Sequence, residues 1–341
     1  MRIKEILDII SSMYNIAQTA ENFKHSQKIK LYLNEPLGPR SSFKIGGNAS
    51  LLIEPFDAEA LAFALTEIKK NGIPYFVLGG GTNVLFGDSG FDGIVVSTKK
   101  MSDISIVGTD GAAQNGGKTV IQAAAGASMA SLVSFAERES LTGLEEFAGL
   151  PGTVGGAVYM NARCFEKEIS NVAAAIQWLE PASQDGSQAQ DGAGPESASF
   201  TLREAAFAPS DWAYKKSPFT GTGKIVVSAD FILQKGSKSE ISQKAAAYIQ
   251  ARKDKGHYKA PCAGSVFKNN HAFGRPSGKI IDELGLKGKA SGGAQIAPFH
   301  GNIIINNGGA KASDVLALID LCKKEAKAKF GFDLEEEIVV V

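Results

Sequence analysis

Neither sign of charge is in surplus in this sequence: 36 lysines and arginines face 36 aspartates and glutamates. A neutral chain lacks the basic footprint of a nucleic-acid binder, and it lacks a polybasic membrane anchor or an acidic tail. Cysteine is scarce. Cys164, Cys262 and Cys322 lie far apart with no CxxC pair, so neither a disulfide framework nor a zinc site is expected, and free thiols suit a reducing cytoplasm. His25, His257, His271 and His300 fall in no HxxxH or HExxH pattern, so no protein-held metal is expected. Long apolar runs are missing too. Lys4, Glu5 and Asp8 interrupt the N-terminal stretch where a signal peptide would be apolar, so no secretory leader is expected. The uncharged stretch Thr119–Ala136 contains Gln122, Gly126 and several hydroxyl residues, and it reads as strand, turn and helix, not as a membrane span.

Proline numbers only 12, whereas glycine numbers 38. Excess glycine without excess proline points to tight loops in a folded enzyme. The 341 residues are 44% hydrophobic and 21% charged, which suits a globular chain of roughly two or three domains. Residues 1–26 read as an amphipathic helix packed on the body, with Ile3, Ile6, Leu7, Ile10 and Met13 at helical spacing. Ala49–Glu54 reads as a strand. Asp57 caps a helix with the stripe Leu61, Leu65 and Ile68, which Asn71-Gly72 stops. Ile73–Leu78 follows as a strand, making a right-handed crossover candidate. Further on, Thr119–Ala124 is a strand and Ser128 caps a helix to Ser140. Ile225–Leu233 is a strand, Glu240–Lys255 a helix, Ser313–Phe330 a helix capped by Ser313, and Glu337–Val341 a last strand. Pro181–Ser197 consists mainly of Ser, Gln, Ala, Gly and Asp. It cannot bury a core and reads as an exposed, disordered hairpin insertion.

Several segments could carry chemistry. Gly79-Gly80-Gly81-Thr82-Asn83 follows a strand, and consecutive glycines let backbone N–H groups converge on one anion. The alternative is a plain glycine turn. It is neither a P-loop nor a dinucleotide GxGxxG, because Val84, Leu85 and Phe86 lead into what looks like another loop. Pro151-Gly152-Thr153-Val154-Gly155-Gly156 is a second glycine loop. It reads either as a tight strand corner or as a backbone surface for a flat ring cofactor. Two such loops suit a large two-part ligand such as a dinucleotide. Gly264–Asn269 joins Ser265 to Lys268 and Asn269, with no GxSxG around the serine, so acyl transfer is disfavoured. In Leu334–Ile338, strand alternation would put Glu335 and Glu337 on one face and Glu336 on the other. Tyr214-Lys215-Lys216-Ser217 reads as a surface turn or as an anion stabiliser.

Seven runs occur in order: SSFKIGG (Ser41–Gly47), VLGGGTNVLF (Val77–Phe86), GLPGTVGGAVYMNA (Gly149–Ala162), AGSVFKN (Ala263–Asn269), GLKG (Gly285–Gly288), GGAQIAPFHGNIIIN (Gly292–Asn306) and LEEEI (Leu334–Ile338). Together they resemble the UDP-N-acetylenolpyruvoylglucosamine reductase family, FAD enzymes of peptidoglycan precursor synthesis, from about Pro36 to the C-terminus. The resemblance implies an α+β fold. It has an N-terminal extension over 1–35, a bipartite FAD-binding module of two α/β subdomains over 36–222, and an α+β substrate domain over 223–341. It implies non-covalent FAD, NADPH as co-substrate and UDP-N-acetylglucosamine enolpyruvate as substrate, in a cytoplasmic monomer that needs no nucleic acid, membrane or metal. In the implied reaction, hydride passes from flavin N5 to C3 of the enolpyruvyl group and a proton reaches C2, giving UDP-N-acetylmuramate. Ser265 matches the proton donor, and Glu337 matches the C-terminal glutamate that helps with the enol. Lys215 stands where the family has the arginine of a YRxS motif. The implied FAD residues are Ile45, Gly46, Gly47, Gly79, Gly80, Gly81, Thr82, Asn83, Gly143, Pro151, Gly152, Thr153, Gly155, Gly156 and Ala157. Tyr214, Lys268, Asn269 and Lys287 are the implied substrate residues.

The chain departs from the family at three places. Lys215 keeps a positive charge but loses the planar fork that grips a carboxylate through two bonds. Arg163 is an unexpected guanidinium in Met160–Glu166, and it is a candidate to replace the missing arginine in part. Asn270 stands at a common proline position. The short interval from Ser217 to Ser265 points to the class without an extra tyrosine-bearing substrate loop. A flavin oxidase sharing the FAD module and a non-catalytic flavin or nucleotide-sugar sensor are the competing interpretations. With no histidine between His25 and His257, a histidyl flavin tether in the glycine-loop region is not available to the first of these.

Overall fold

The computed structural model describes residues 15–24, 26–109, 117–182, 200–206 and 208–341. It divides into two compact units. The first combines residues up to Leu33 with Leu51–Gly79 and Gly93–Tyr248; the second combines Asn34–Ser50, Gly80–Asp92 and Ile249–Val341. The strand Ile225–Lys235 and the following helix as far as Tyr248 fall in the first unit, and the last change of unit comes at 248/249.

In the first unit a four-stranded sheet runs in the order Ile29–Pro36, Asn48–Pro55, Phe91–Ser97, Tyr75–Leu78. The helix Ala58–Lys70 connects two of these strands, but they are not neighbours: Phe91–Ser97 lies between them, parallel to Tyr75–Leu78. Asp57 caps that helix by accepting from the Ala60 N–H at 2.8 Å, as its sequence position requires. Leu61, Leu65 and Ile68 are fully buried. Of the expected N-terminal helix, residues 15–24 are helical, and Ile16, Ala20 and Phe23 enter the same apolar cluster as the Leu61 stripe; residues 1–14 lie outside the described residues.

The second sheet of this unit is six-stranded, with Ile225–Lys235 between Ala173–Pro181 and Lys118–Ala124. Ala173–Pro181 pairs antiparallel with Phe200–Ala206, from Pro181 opposite Phe200 to Ala175 opposite Ala206. The low-complexity insertion therefore joins two paired strands, as expected; beyond residue 182 it lies outside the described residues.

The second unit centres on a four-stranded antiparallel sheet with the order Cys262–Ser265, Ile303–Asn306, Ala294–Ile296, Ala290–Ser291. The long helix Ala312–Phe330 packs Val315, Leu318, Ile319 and Cys322 against it. Val84–Leu85 is not loop but a short strand parallel to Val339–Val340. Ser313 does not cap the long helix. Its N-terminal N–H groups at Ala312 and Ser313 donate instead to the Asp88 carboxylate, at 2.7 and 3.1 Å. A cap supplied from 224 residues away leaves no local sequence signal, whereas Asp57 and Ser128 lie beside the helices they cap. All three cysteines are free. Among the described residues no helix is long and apolar enough to cross a membrane, and no cluster of ligating side chains could hold a metal ion.

Burial pushes the Asp88 carboxyl up, but the N–H groups of Ala312 and Ser313, with Lys311 nearby, outweigh it and hold the carboxyl below its usual value of 3.8. Since the folded value is the lower one, the carboxylate's contribution is complete above that pH and is lost as pH falls through the folded value. Asp88→Ala is expected to cost about 1 kcal/mol near neutral pH. In paired denaturant titrations of variant and parent, the difference should close as the pH drops below about 4.

Candidate active site

In the first unit, the strand Tyr75–Leu78 delivers Gly79 against the loop that opens the short helix Val154–Tyr159. A Cβ on Gly79 would lie 2.6 Å from Thr153 Oγ1, so only glycine fits there. The loop is a helix start, not a strand corner: Thr153 precedes the helix in extended backbone. Val154 and Gly155 donate to the carbonyls of Ala127 and Ala125, both at 2.8 Å. Gly155 is required by close approach, since a Cβ would sit 2.8 Å from the Ala125 Cβ. Thr153 is buried and its Oγ1 has no hydrogen-bond partner within the protein. A buried hydroxyl left without a partner is costly. Here it lies beside the glycine backbone, where it can donate to an acceptor on a ligand.

Gly143, at φ +129, belongs to a second tight element. Its N–H donates to Glu145 Oε2 at 2.8 Å and the Thr142 hydroxyl donates to Oε1 at 2.5 Å. Burial pushes the Glu145 carboxyl up, but those bonds and nearby Lys167 prevail and hold it below the usual range.

The turn carrying Tyr214 and Lys215 closes through a pair of 3.0 Å bonds between Ala213 and Lys216. Lys215 adopts φ +56, a left-handed conformation that costs a side-chain-bearing residue of order 1 kcal/mol. Two anchors hold the turn. The Ser217 hydroxyl donates to the Tyr159 carbonyl at 2.8 Å. Asn161, fully buried, donates from Nδ2 to the Ala213 carbonyl at 3.0 Å and to Glu168 Oε2 at 2.9 Å, and accepts from the Ser170 N–H at 3.1 Å. Asn161 carried no expected role, although it lies within the run Gly149–Ala162. Lys215 and Tyr214 are half-buried. Arg163 is committed elsewhere, paired with Glu166 at 2.9 Å and with Glu168 at 3.7 Å. Its guanidinium is thus largely neutralised within its own hairpin.

In the second unit, Gly47 and Gly81 are explained by backbone packing. A Cβ would meet the Asp88 carbonyl oxygen at 2.5 Å in one case and the Arg40 carbonyl oxygen at 2.4 Å in the other, where φ is +67. Gly46 meets Phe86 just as closely. Ile45 is buried in the apolar cluster, so only its backbone remains for a ligand.

Ser265 ends the strand Cys262–Ser265, opposite Ile303 and half-buried. The Glu337 segment lies directly alongside. The Glu337 N–H donates to the Val266 carbonyl at 2.7 Å, and the Glu337 carbonyl accepts from Asn83 Nδ2 at 2.9 Å. The two candidate catalytic residues are therefore brought onto adjoining backbone, and the side chain of Asn83 helps hold one of them. Of the three glutamates, Glu335 pairs with Lys268 and Glu336 with Lys323, each at 2.5 Å. Lys268 thus stays beside the Ser265 segment with its charge matched. Asn269 Oδ1 accepts from the Ser277 N–H at 2.9 Å. Lys287 pairs with Asp282 at 2.7 Å, and no bond ties it to the Ser265 and Glu337 segments.

Comparison with known proteins adds two family matches. The model for the C-terminal domain of UDP-N-acetylenolpyruvoylglucosamine reductase matches residues 256–341, and an FAD binding domain matches 49–190. The reductase of that name from Treponema denticola is 43% identical over 336 residues, covering 96% of this chain and 98% of that one. The reductase from Treponema pallidum is 37% identical, covering 90% and 92%. A crystal structure of the reductase from Thermus caldophilus superposes with a TM-score of 0.67 at 30% identity, covering 92% of this chain and 98% of that one.

Replacing Asn161 by alanine would strand several buried polar groups. Asn161→Ala is expected to cost about 2 kcal/mol or more, read as a lower urea midpoint with an unchanged slope.

Proposed function

The chain belongs to the UDP-N-acetylenolpyruvoylglucosamine reductase family, and from that premise we propose which of its residues carry the reaction. It is an FAD-dependent oxidoreductase of peptidoglycan precursor synthesis that reduces UDP-N-acetylglucosamine enolpyruvate. The observation that supports the residue assignment is the 2.7 Å bond from the Glu337 N–H to the Val266 carbonyl, which sets Glu337 beside Ser265.

The residues present fit a bound FAD. Gly79 packs closely against a buried Thr153 hydroxyl that has no hydrogen-bond partner, which is a donor suited to an acceptor atom of the cofactor. Gly79–Asn83 with Ile45–Gly47 are assigned to the diphosphate part of FAD. Gly143 and Pro151–Ala157 are assigned to its ring part. FAD, when bound, supplies the hydride that C3 of the enolpyruvyl group receives, with NADPH as the proposed reductant.

The chain's own residues then handle charge and proton. Ser265 gives its hydroxyl proton to C2. A serine hydroxyl is a weak acid, but the enolate it meets is a much stronger base, and holding the hydroxyl in place supplies much of the remainder. Glu337 stabilises the enol form or relays the proton. Lys215, held by its turn in one backbone conformation, places a point charge for the substrate carboxylate. Tyr214, Lys268, Asn269 and Lys287 are assigned to the substrate diphosphate. The domain division is proposed as an extension over 1–35, an FAD-binding module over 36–222 and a substrate domain over 223–341. We further place the protein in the cytoplasm as a monomer, to which its free thiols are suited.

The test is an anaerobic two-step titration of the flavin-loaded protein. NADPH should bleach the flavin, and UDP-N-acetylglucosamine enolpyruvate should restore it. Restoration only by oxygen would favour an oxidase, and no bleaching at all would favour a sensor. Ser265→Ala should leave bleaching intact and slow the return by about 10²–10⁴-fold. In a separate test of FAD retention, Thr153→Val should weaken FAD binding by about tenfold, the worth of one hydrogen bond. Unchanged retention would remove Thr153 from the cofactor site.

A further inference from the structure

We propose that Asn302 is a positioning residue that fixes the backbone carrying Ser265; this rests on Ser265 being the proton donor. Past Ser265 the chain leaves its strand, and the ladder with Ile303–Asn306 is already irregular there. Gly264 before it has φ +75 and open space where a Cβ would be. Local packing on that side therefore does little to fix the hydroxyl.

Asn302 supplies what the ladder does not. Its carbonyl accepts from the Val266 N–H at 2.9 Å. Its side-chain Oδ1 accepts from the Phe267 N–H at 2.9 Å, and its Nδ2 donates to the Phe267 carbonyl at 2.8 Å. One residue thus satisfies three main-chain groups on the two residues after Ser265. A planar amide bonded to both polar groups of Phe267 fixes the peptide planes on either side of it, and with them the path of the chain back to Ser265. The Val266 carbonyl, on the same clamped stretch, is the one that receives the Glu337 N–H. Asn302 therefore sets the register of both segments.

The clamp is itself held. Asn302 is 3% exposed, and its N–H donates to His300 Nδ1 at 3.2 Å. That bond needs Nδ1 without a proton. Burial first, and then the charge of Lys255, hold His300 below its ordinary value of 6.5, which keeps the acceptor available.

Satisfying buried backbone groups is a sufficient reason for an asparagine, so the experiment must separate stability from positioning. The holoenzymes of Asn302→Ala and the milder Asn302→Ser are compared with the parent in the two half-reactions, and Ser265→Ala is run alongside. Amide hydrogen exchange is followed over residues 263–269 and 335–339. The expected result is flavin bleaching by NADPH within about twofold of the parent. Return by the enolpyruvyl substrate should slow at least about tenfold, since small misplacements of a catalytic group cost up to about 10²-fold. Exchange should rise at Val266, Phe267 and Glu337 but not elsewhere. Equal slowing of both half-reactions with a global rise in exchange would make Asn302 merely structural and overturn the proposal. So would an unchanged return rate in the Asn302 variants while Ser265→Ala is slow. If Ser265→Ala itself returns at the parental rate, the proton-donor assignment fails and the positioning role fails with it. Should Asn302→Ala not fold, Asn302→Ser carries the same outcomes.

Discussion

Three stretches of chain far apart in sequence must be stitched together to make the second unit, and the stitches are hydrogen bonds to main-chain atoms. Gly47 donates to the Gly87 carbonyl, Gly87 to that of Val341, and Ser42 to that of Gly81, all between 2.8 and 2.9 Å. The Ser42 hydroxyl reaches the Cys262 carbonyl at 2.6 Å, and Asn306 reaches the Phe43 carbonyl at 3.1 Å. Backbones can approach this closely only where no Cβ intervenes, and Gly47, Gly81 and Gly90 stand at those approaches. The glycine surplus that suggested phosphate loops thus has a second cause. At Gly47 and Gly81 it is the packing of backbone on backbone; at Gly79 it is the close approach of the Thr153 hydroxyl.

The distribution of charge follows a similar economy. Arg163, Lys268, Lys287 and Lys323 are each matched by a carboxylate within 3 Å. A cation counted from the sequence is therefore not automatically a cation offered to substrate. What singles out Lys215 is its setting, on a turn that Asn161 and Ser217 hold at two points. Its left-handed backbone conformation is held by those two anchors.

Much of this was legible beforehand, because some signals are local. Asp57 and Ser128 cap helices three residues on, and each carboxylate or hydroxyl is seen next to the apolar stripe it serves. The ordered glycine runs and the Ser265 and Glu337 segments were likewise visible. What stayed hidden depends on partners distant in sequence. Asp88 caps a helix that begins at Ala312. Asn83, read as a cofactor residue, holds the Glu337 carbonyl. Asn161 and Asn302 are buried amides that each donate to a main-chain carbonyl distant in sequence, and no residue type marks a carbonyl in a sequence. The strand Ile225–Lys235 pairs with strands far upstream, a partnership equally unmarked in the sequence.

The interleaving of the second unit has a temporal side. Residues 34–50 and 80–92 leave the ribosome long before residues 249–341, with which they share a core. Phe43, Ile45 and Leu85 cannot be buried in that core until Ile304, Leu318 and Ile338 have been made. At synthesis rates of about 5–20 residues per second, that interval lasts on the order of ten seconds or more. During it the first unit can complete its own sheets while apolar segments of the second wait without their partners. Contacts of such long sequence separation close slowly, so the nascent chain should depend on holdase chaperones more than its neutral, cysteine-poor composition would suggest.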